Sequence, residues 1–247
     1  MVPFSENMEY ELVVGLEVHV QLATNSKIFS SESAAFTSIP NQNVSPVSLG
    51  LPGSLPFLNT RAVECAVKMG LALDCSINLE NRFDRKHYFY ADLPKGYQIT
   101  QDSLPICKDG KLTVVTKEGN VRTIRINRIH LEEDAGKSIH DQDAADTLVD
   151  LNRAGVPLIE IVSEPDIRSA EEAGLYLAAI RKIVRFLEIS DGNMEEGSLR
   201  CDANISIRKM GDQQYGNRCE VKNLNSIRNL QRAINFEFQR QVGLMEK

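Results

Sequence analysis

Three stretches set polar residues two positions apart: Glu17 and His19 in GLEVHVQL (15–22); Arg200, Asp202, Asn204 and Ser206 in SLRCDANISIR (198–208); and Arg218, Glu220 and Lys222. On a strand, side chains two positions apart leave the same face about 6.6 Å from each other. Each stretch can therefore present its polar groups as one row. Glu17, His19, Asp202, Asn204, Glu220 and one of Glu132 or Glu133 form a donor set of hard oxygens with a single imidazole. Such a set suits Mg²⁺ or Mn²⁺ better than zinc. A solvated polar strand face is the plain alternative, and on residue type alone it stays open. Arg200 is likewise either an ion-pair partner within a sheet or a clamp for phosphate.

HLEEDAGKS (130–138) points two ways, because its tail looks like a nucleotide loop and its head is a run of acids. The phosphate-loop pattern requires glycine where Leu131 stands, and the intervening positions are acidic. No serine-elbow motif occurs, so nucleophilic catalysis of that type is unsupported. His130 and His140 have no clear partner in sequence and read as structural or exposed. RKHYFYADLPKGYQ (85–98) combines Arg85, Lys86 and Lys95 with Tyr88, Phe89, Tyr90 and Tyr97. It fits either a polyanion or nucleotide base, or a structural aromatic patch beneath a loop.

These residues need elements to hold them. Residues 10–22 alternate strictly between apolar and polar, as a half-buried strand does. Residues 38–56 have loop chemistry and hand over at Asn59 to a helix through about Ala72. Residues 111–117 and 121–131 predict a hairpin around Glu118-Gly119-Asn120, so HLEEDAGKS begins at a strand end. Residues 139–146 are linker-like, and Gly155 and two prolines keep 149–166 extended. Ser169 and Glu172 form a capping box for a helix to about Leu187. Residues 198–208 alternate most cleanly, 217–222 make a further strand, and a helix runs from Ser226. Strands in hairpins or meanders with helices set between them predict an α+β fold with a largely antiparallel sheet. One face of that sheet can gather the polar rows into a single floor.

Composition bounds the rest. The 247 residues, 42% hydrophobic and 25% charged, are those of a globular protein. A formal charge of −6 argues against binding nucleic acid chiefly by phosphate neutralisation over the whole surface. The five cysteines form no C-x-x-C pair, which fits a reducing compartment. No apolar run approaches the ~20 residues of a membrane span, and MVPFSENMEY lacks the features of a signal peptide, so a soluble, cytoplasmic protein is expected.

Seven segments in order, GLEVHVQL, SLGLPGSLPFLN, DRKHYFYADLPKGYQITQ, HLEEDAGKS, VDLNRAGVPLIEIVSEPDIRS, MEEGSLRCDANIS and EVKNLNS, closely resemble the B subunit of the aspartyl/glutamyl-tRNA amidotransferases. The resemblance covers nearly the whole chain. It implies a fold similar to glutamine synthetase and guanido kinases, and a kinase-like activity. ATP would phosphorylate the side-chain carboxylate of a misacylated tRNA, and ammonia released by a separate amidase subunit would then amidate it, with a small third subunit bracing the pair. The resemblance assigns Mg²⁺ to Glu17, His19, Glu133, Asp202 and Glu220, with Glu132 a weaker candidate because alternation places it opposite Glu133. It puts Lys86 and Lys95 near the pocket and channel. Arg200 is the expected phosphate partner, and Asn204, Ser206 and Lys222 line the expected ATP site. Some members carry zinc-binding cysteines where this chain has Ser30, Glu32, Ser45 and Ser48, so no zinc is expected. Family proteins continue into helical and tail domains that contact tRNA, and residues 1–247 are expected to be the catalytic domain alone.

Overall fold

A computed structural model describes residues 9–143 and 145–246. The organising element is β1 (Tyr10–Gln21), whose apolar-polar alternation gives it one dry and one polar side. It pairs antiparallel with β10 (Leu199–Lys209) on one edge and β9 (Pro157–Ser163) on the other. Outward from β10 lies β11 (Cys219–Leu224), and outward from β9 lie β6 (Val121–Glu133), β5 (Cys107–Val115) and β2 (Ser76–Ile77). The described residues thus form a seven-stranded sheet, antiparallel at every pairing. This is the α+β class with an antiparallel sheet that the strand pattern predicts.

The dry face carries Leu16, Val18, Val20, Ile129, Ile159, Ile161, Cys201, Ala203 and Ile205, all fully buried. Three helices cover it: α2 (Thr60–Ala72), α3 (Ala170–Phe186) and α4 (Ile227–Met245). The one-turn α1 (Pro46–Leu49), capped by Ser45, interrupts the long loop before them. Burying each large aliphatic side chain contributes about 1.5–3 kcal/mol, so this layer supplies most of the driving force for folding. Side-chain caps set where the three helices begin. Asn59 accepts from the Arg61 N–H, Ser169 from Glu172 and Ser226 from Asn229. Glu171 and Glu172 add favourable charge to the first turn of α3.

A β-bulge decides which residues of HLEEDAGKS face which way. In β6 the dry positions are Ile124 and Ile126, then Ile129 and Leu131, because the register shifts between Ile126 and Arg128. Downstream of the bulge Arg128, His130 and Glu132 share the polar face. Strict alternation from the start of the strand would assign them to the other side.

Two small ribbons go beyond the predicted elements. β3 (Asp84–His87) and β4 (Tyr97–Thr100) pair across the aromatic segment. β4 is tied to the end of β6: Ile99 N donates to Glu133 Oε1 at 2.8 Å and Thr100 Oγ1 to Glu132 Oε2 at 3.1 Å. β7 (Lys137–Ile139) pairs with β8 (Leu148–Asp150) on either side of the linker-like segment 139–146. Gly136 sits where two backbones close on it, since a Cβ there would come within 2.8 Å of Asp150 O and 2.9 Å of Asp92 O. Its N–H donates to Asp92 O at 2.8 Å, and Gly-Lys-Ser leads into a strand, not a helix. The tripeptide therefore offers no phosphate cradle.

Candidate active site

Register assembles the floor. Glu17 lies opposite Asp202, His19 opposite Arg200 on one side and Glu160 on the other, and Glu160 opposite His130. Polar residues that are far apart in sequence thus meet because neighbouring strands carry them at matching positions on one face.

Two groups of metal-capable side chains result. In the first, Glu17, Asp202 and Glu220 each offer an oxygen within 4.8 Å of the others. Asn204 Nδ2 donates to Glu17 Oε1 at 2.8 Å, and the Asn223 N–H donates to Asp202 Oδ1 at 2.8 Å. Lys222 supplies the local positive charge, 2.8 Å from Glu220 and 3.5 Å from Asp202, and the hydrogen bond to Glu220 raises its ammonium pKa. In the second, His19, Glu132 and Glu160 converge within the same 4.8 Å limit. His19 Nε2 lies 3.3 Å from Glu160 and 4.0 Å from Glu132, and His130 Nε2 lies 3.4 Å from Glu160 and 3.5 Å from Glu132.

The electrostatics of the second group are those of carboxylates compressed into a dry site. Burial works against a charged His130, yet its hydrogen bonds to Glu132 and Glu160 push its pKa up to about 9. Burial also opposes a charged His19, but Glu160 and Glu132 outweigh it and raise that imidazole too, with Arg200 opposing. Burial would raise Glu160, but the two histidines hold it well below the usual carboxylate range. Arg128 Nε donates to His130 Nδ1 at 3.4 Å, so Nε2 is the ring nitrogen that faces both carboxylates. The carboxylates thus draw protons onto the imidazoles. Both groups fit a divalent ion in donor type, number and spacing.

Three cavities open from this floor, and Glu17 borders all of them. One of 240 Å³ contains His19, Lys86, Arg200, Asp202 and Lys222. One of 370 Å³ lies toward β3, between Lys86, Arg128 and Glu132. The third, 270 Å³, is the most apolar, with Gly15, Val162, Pro165 and Tyr215 as walls and Asn204 and Ser206 as polar points.

A floor of carboxylates on an antiparallel sheet, covered by helices on its back, occurs in many enzymes, so likeness to known proteins must decide the lineage. The model of the GatB/GatE catalytic domain matches residues 12–247. The chain belongs to this family. The B subunit of the aspartyl/glutamyl-tRNA(Asn/Gln) amidotransferase of Chlorobium luteolum is 60% identical over 240 residues, which are 97% of this chain and 50% of that protein. The corresponding B subunits of Pseudomonas savastanoi pv. phaseolicola and Pseudomonas putida are 58% and 56% identical over 239 residues, again 97% of this chain and 50% of theirs. The chain spans about half the length of the curated relatives it matches.

Of the residues that the family resemblance singles out, Glu17, His19, Arg200, Asp202, Asn204, Glu220 and Lys222 meet on the floor, Lys86 borders two of its cavities, and Ser206 lines the apolar one. Glu133 and Lys95 do not join them. They form an ion pair with each other, both side chains 3% exposed, and Glu133 also accepts from the Ile99 N–H. Burial raises the Glu133 carboxyl, and Lys95 offsets part of that. The bulge is the cause, because it turns Glu132 to the floor and Glu133 away. Residue-type reasoning misses Glu160 and treats His130 as partnerless, whereas both are buried in the second group. The signal for Glu160 is a lone acid in the apolar run VPLIEIV, at a position whose neighbours two away, Leu158 and Val162, share its face. Among the described residues no helix is long and apolar enough to cross a membrane.

Proposed function

We propose that the floor is the phosphoryl-transfer site of a tRNA-dependent amidotransferase subunit. It would use ATP and Mg²⁺ to phosphorylate the side-chain carboxylate of glutamate or aspartate misacylated onto tRNA, and ammonia from an amidase subunit would then displace the phosphate. The supporting observation is the meeting of two carboxylate groups, Glu17/Asp202/Glu220 and His19/Glu132/Glu160, on one sheet face beside Arg200, Lys222 and Lys86. Substrate carboxylate and γ-phosphoryl are both anionic, and bound Mg²⁺ would supply the charge neutralisation that lets them approach. Glu132, not Glu133, is assigned the metal role, because it shares a face with His19 and Glu160.

The chain's own residues then have distinct tasks. Arg200 holds phosphoryl oxygens through its planar fork, and Lys222 and Lys86 contribute compact positive charge nearby. The base of ATP takes the apolar cavity, where Tyr215 and Pro165 offer flat contact and Asn204 and Ser206 offer polar contacts. The Lys95–Glu133 pair fixes the ribbon of β3 and β4 against β6 and keeps that side of the floor closed to water. Exclusion of water matters because an acyl phosphate hydrolyses when water reaches it. The whole enzyme would assemble this domain with the amidase subunit and a small third subunit in the cytoplasm, and further regions of the full-length protein would bind the tRNA.

The test uses the full-length protein in its complex and follows ATP-dependent phosphorylation of glutamyl-tRNA. Glu17→Ala, Glu132→Ala and Asp202→Ala should each reduce the rate at least about 100-fold, the scale expected when a group stabilising transition-state charge is lost. Normal rates in all three would remove the reading.

A further inference from the structure

Asp134, the third acid of HLEEDAGKS, belongs to neither carboxylate group, yet it is 5% exposed and borders the same 240 Å³ cavity. Three side chains converge on its Oδ2: Arg200 Nη2 at 3.0 Å, Gln21 Nε2 at 2.8 Å and Arg153 Nε at 3.6 Å. Arg153 is itself anchored, since Nε donates to Ala135 O at 2.8 Å and Nη2 to Gly136 O at 2.6 Å. With two guanidinium groups and an amide donor within 3.6 Å, the carboxylate is a fixed point in the wall of the cavity.

Arg200 is the member of this cluster that faces the floor. It stands on β10 opposite His19, with Asp202 two positions on along the same face. A free arginine side chain has about 2 kcal/mol of rotamer entropy to lose on binding, and a guanidinium anchored at one amino nitrogen has already lost much of it. Asp134 engages one of the five N–H donors of the fork, so four are available to a phosphoryl group. The anchor also fixes the plane of the fork, on which bidentate contact with phosphate oxygens depends.

We infer that Asp134 is a positioning residue for phosphoryl transfer, acting through Arg200 by fixing the direction of its guanidinium. The inference rests on the reading of Arg200 as the phosphate partner. Gln21 donates to the same oxygen and Arg153 holds Asp134 toward the strand end, so the four residues form one braced unit at the junction of β1, β6 and β10.

The experiment is a double-mutant cycle in the full-length complex, with kcat and KM for ATP and for glutamyl-tRNA measured in Asp134→Asn, Arg200→Ala and the double variant. Asp134→Asn should lower kcat/KM for ATP about 10–100-fold and leave the KM for glutamyl-tRNA within about twofold, because the defect is confined to phosphate contact. In the Arg200→Ala background the same change should cost less than about threefold, since the residue it acts through is already gone. Asp134→Glu retains the buried charge and displaces the anchor by one methylene, so it should still fold, with stability lowered by no more than about 1–3 kcal/mol, and lose activity beyond what that loss explains. Equal losses from Asp134→Asn in both backgrounds, or a fully active Asp134→Glu, would overturn the positioning role while leaving Arg200 as phosphate partner. A fully active Arg200→Ala would overturn both.

Discussion

Replacing Glu160 by Gln removes the anion that His19 and His130 share without changing the size of the side chain. In the wild-type fold His130 has a pKa of about 9 against 6.5 for a free imidazole. At 1.36 kcal/mol per pH unit, this difference is worth roughly 3 kcal/mol of coupling between protonation and folding. The sign follows from the direction. A pKa raised by folding stabilises the protein fully below about pH 6.5, and that contribution drains away as pH climbs through about 9, by about 1.4 kcal/mol per pH unit. Glu160, depressed by the same contacts, contributes above the ordinary carboxylate pKa and loses its share only well below it. Wild type should therefore exceed Glu160→Gln in stability most near pH 6, and the gap should close by roughly 1–3 kcal/mol on reaching pH 9.5. The chain has four histidines, which makes imidazole NMR titration practicable beside urea unfolding at several pH values. His130 should titrate near 9 in wild type and at least about one pH unit lower in the variant, with Glu132 alone supporting it. A His130 midpoint near 6.5 in wild type, or one untouched by the substitution, would refute the charge assignment.

Three further outcomes follow from the same geometry. Lys95→Met strands the buried Glu133 carboxylate and should cost about 3–5 kcal/mol in urea unfolding, whereas pairing it with Glu133→Leu should restore most of the loss; an unaffected single variant would show the pair to be unimportant. Gly15→Ala should raise the KM for ATP several-fold by narrowing the apolar cavity, with little effect on folding, because a Cβ at Gly15 meets its nearest neighbour at an ordinary 3.7 Å; an unchanged KM would move the base elsewhere. Mn²⁺ binding, followed by paramagnetic resonance, should weaken as pH falls through the raised pKa of His19, because a proton on Nε2 competes with the metal, and His19→Gln should flatten that dependence.

Much of the frame is legible in the sequence because alternation survives wherever one sheet face is buried. Leu16, Val18, Cys201 and Ala203 declare the dry side of β1 and β10, and that alone puts Glu17, His19, Arg200 and Asp202 on the other. Capping residues at 59, 169 and 226 likewise declare three helix starts. The bulge after Ile126 is invisible to such reasoning, since one extra residue changes the phase without changing composition, and so the choice between Glu132 and Glu133 stays undecided until register is known. Glu160 is hidden for a related reason: a strand buried on both sides reads as an apolar run, and its one acid acquires meaning only when His19 and His130 are found on either side. Residue types alone leave open whether these donors hold a metal or form a solvated strand face, and the family resemblance favours the metal reading.

The most direct measurement is a crystal structure of the chain with Mn²⁺ and a non-hydrolysable ATP analogue, with the metal located by its anomalous scattering. Metal should be bound by Glu17, Asp202 and Glu220, with or without a second ion at His19, Glu132 and Glu160, the phosphates should lie against Arg200 and Lys222, and the base should lie beside Tyr215. Phosphates seated at Lys137 and Ser138, or metal bound away from both carboxylate groups, would contradict this assignment.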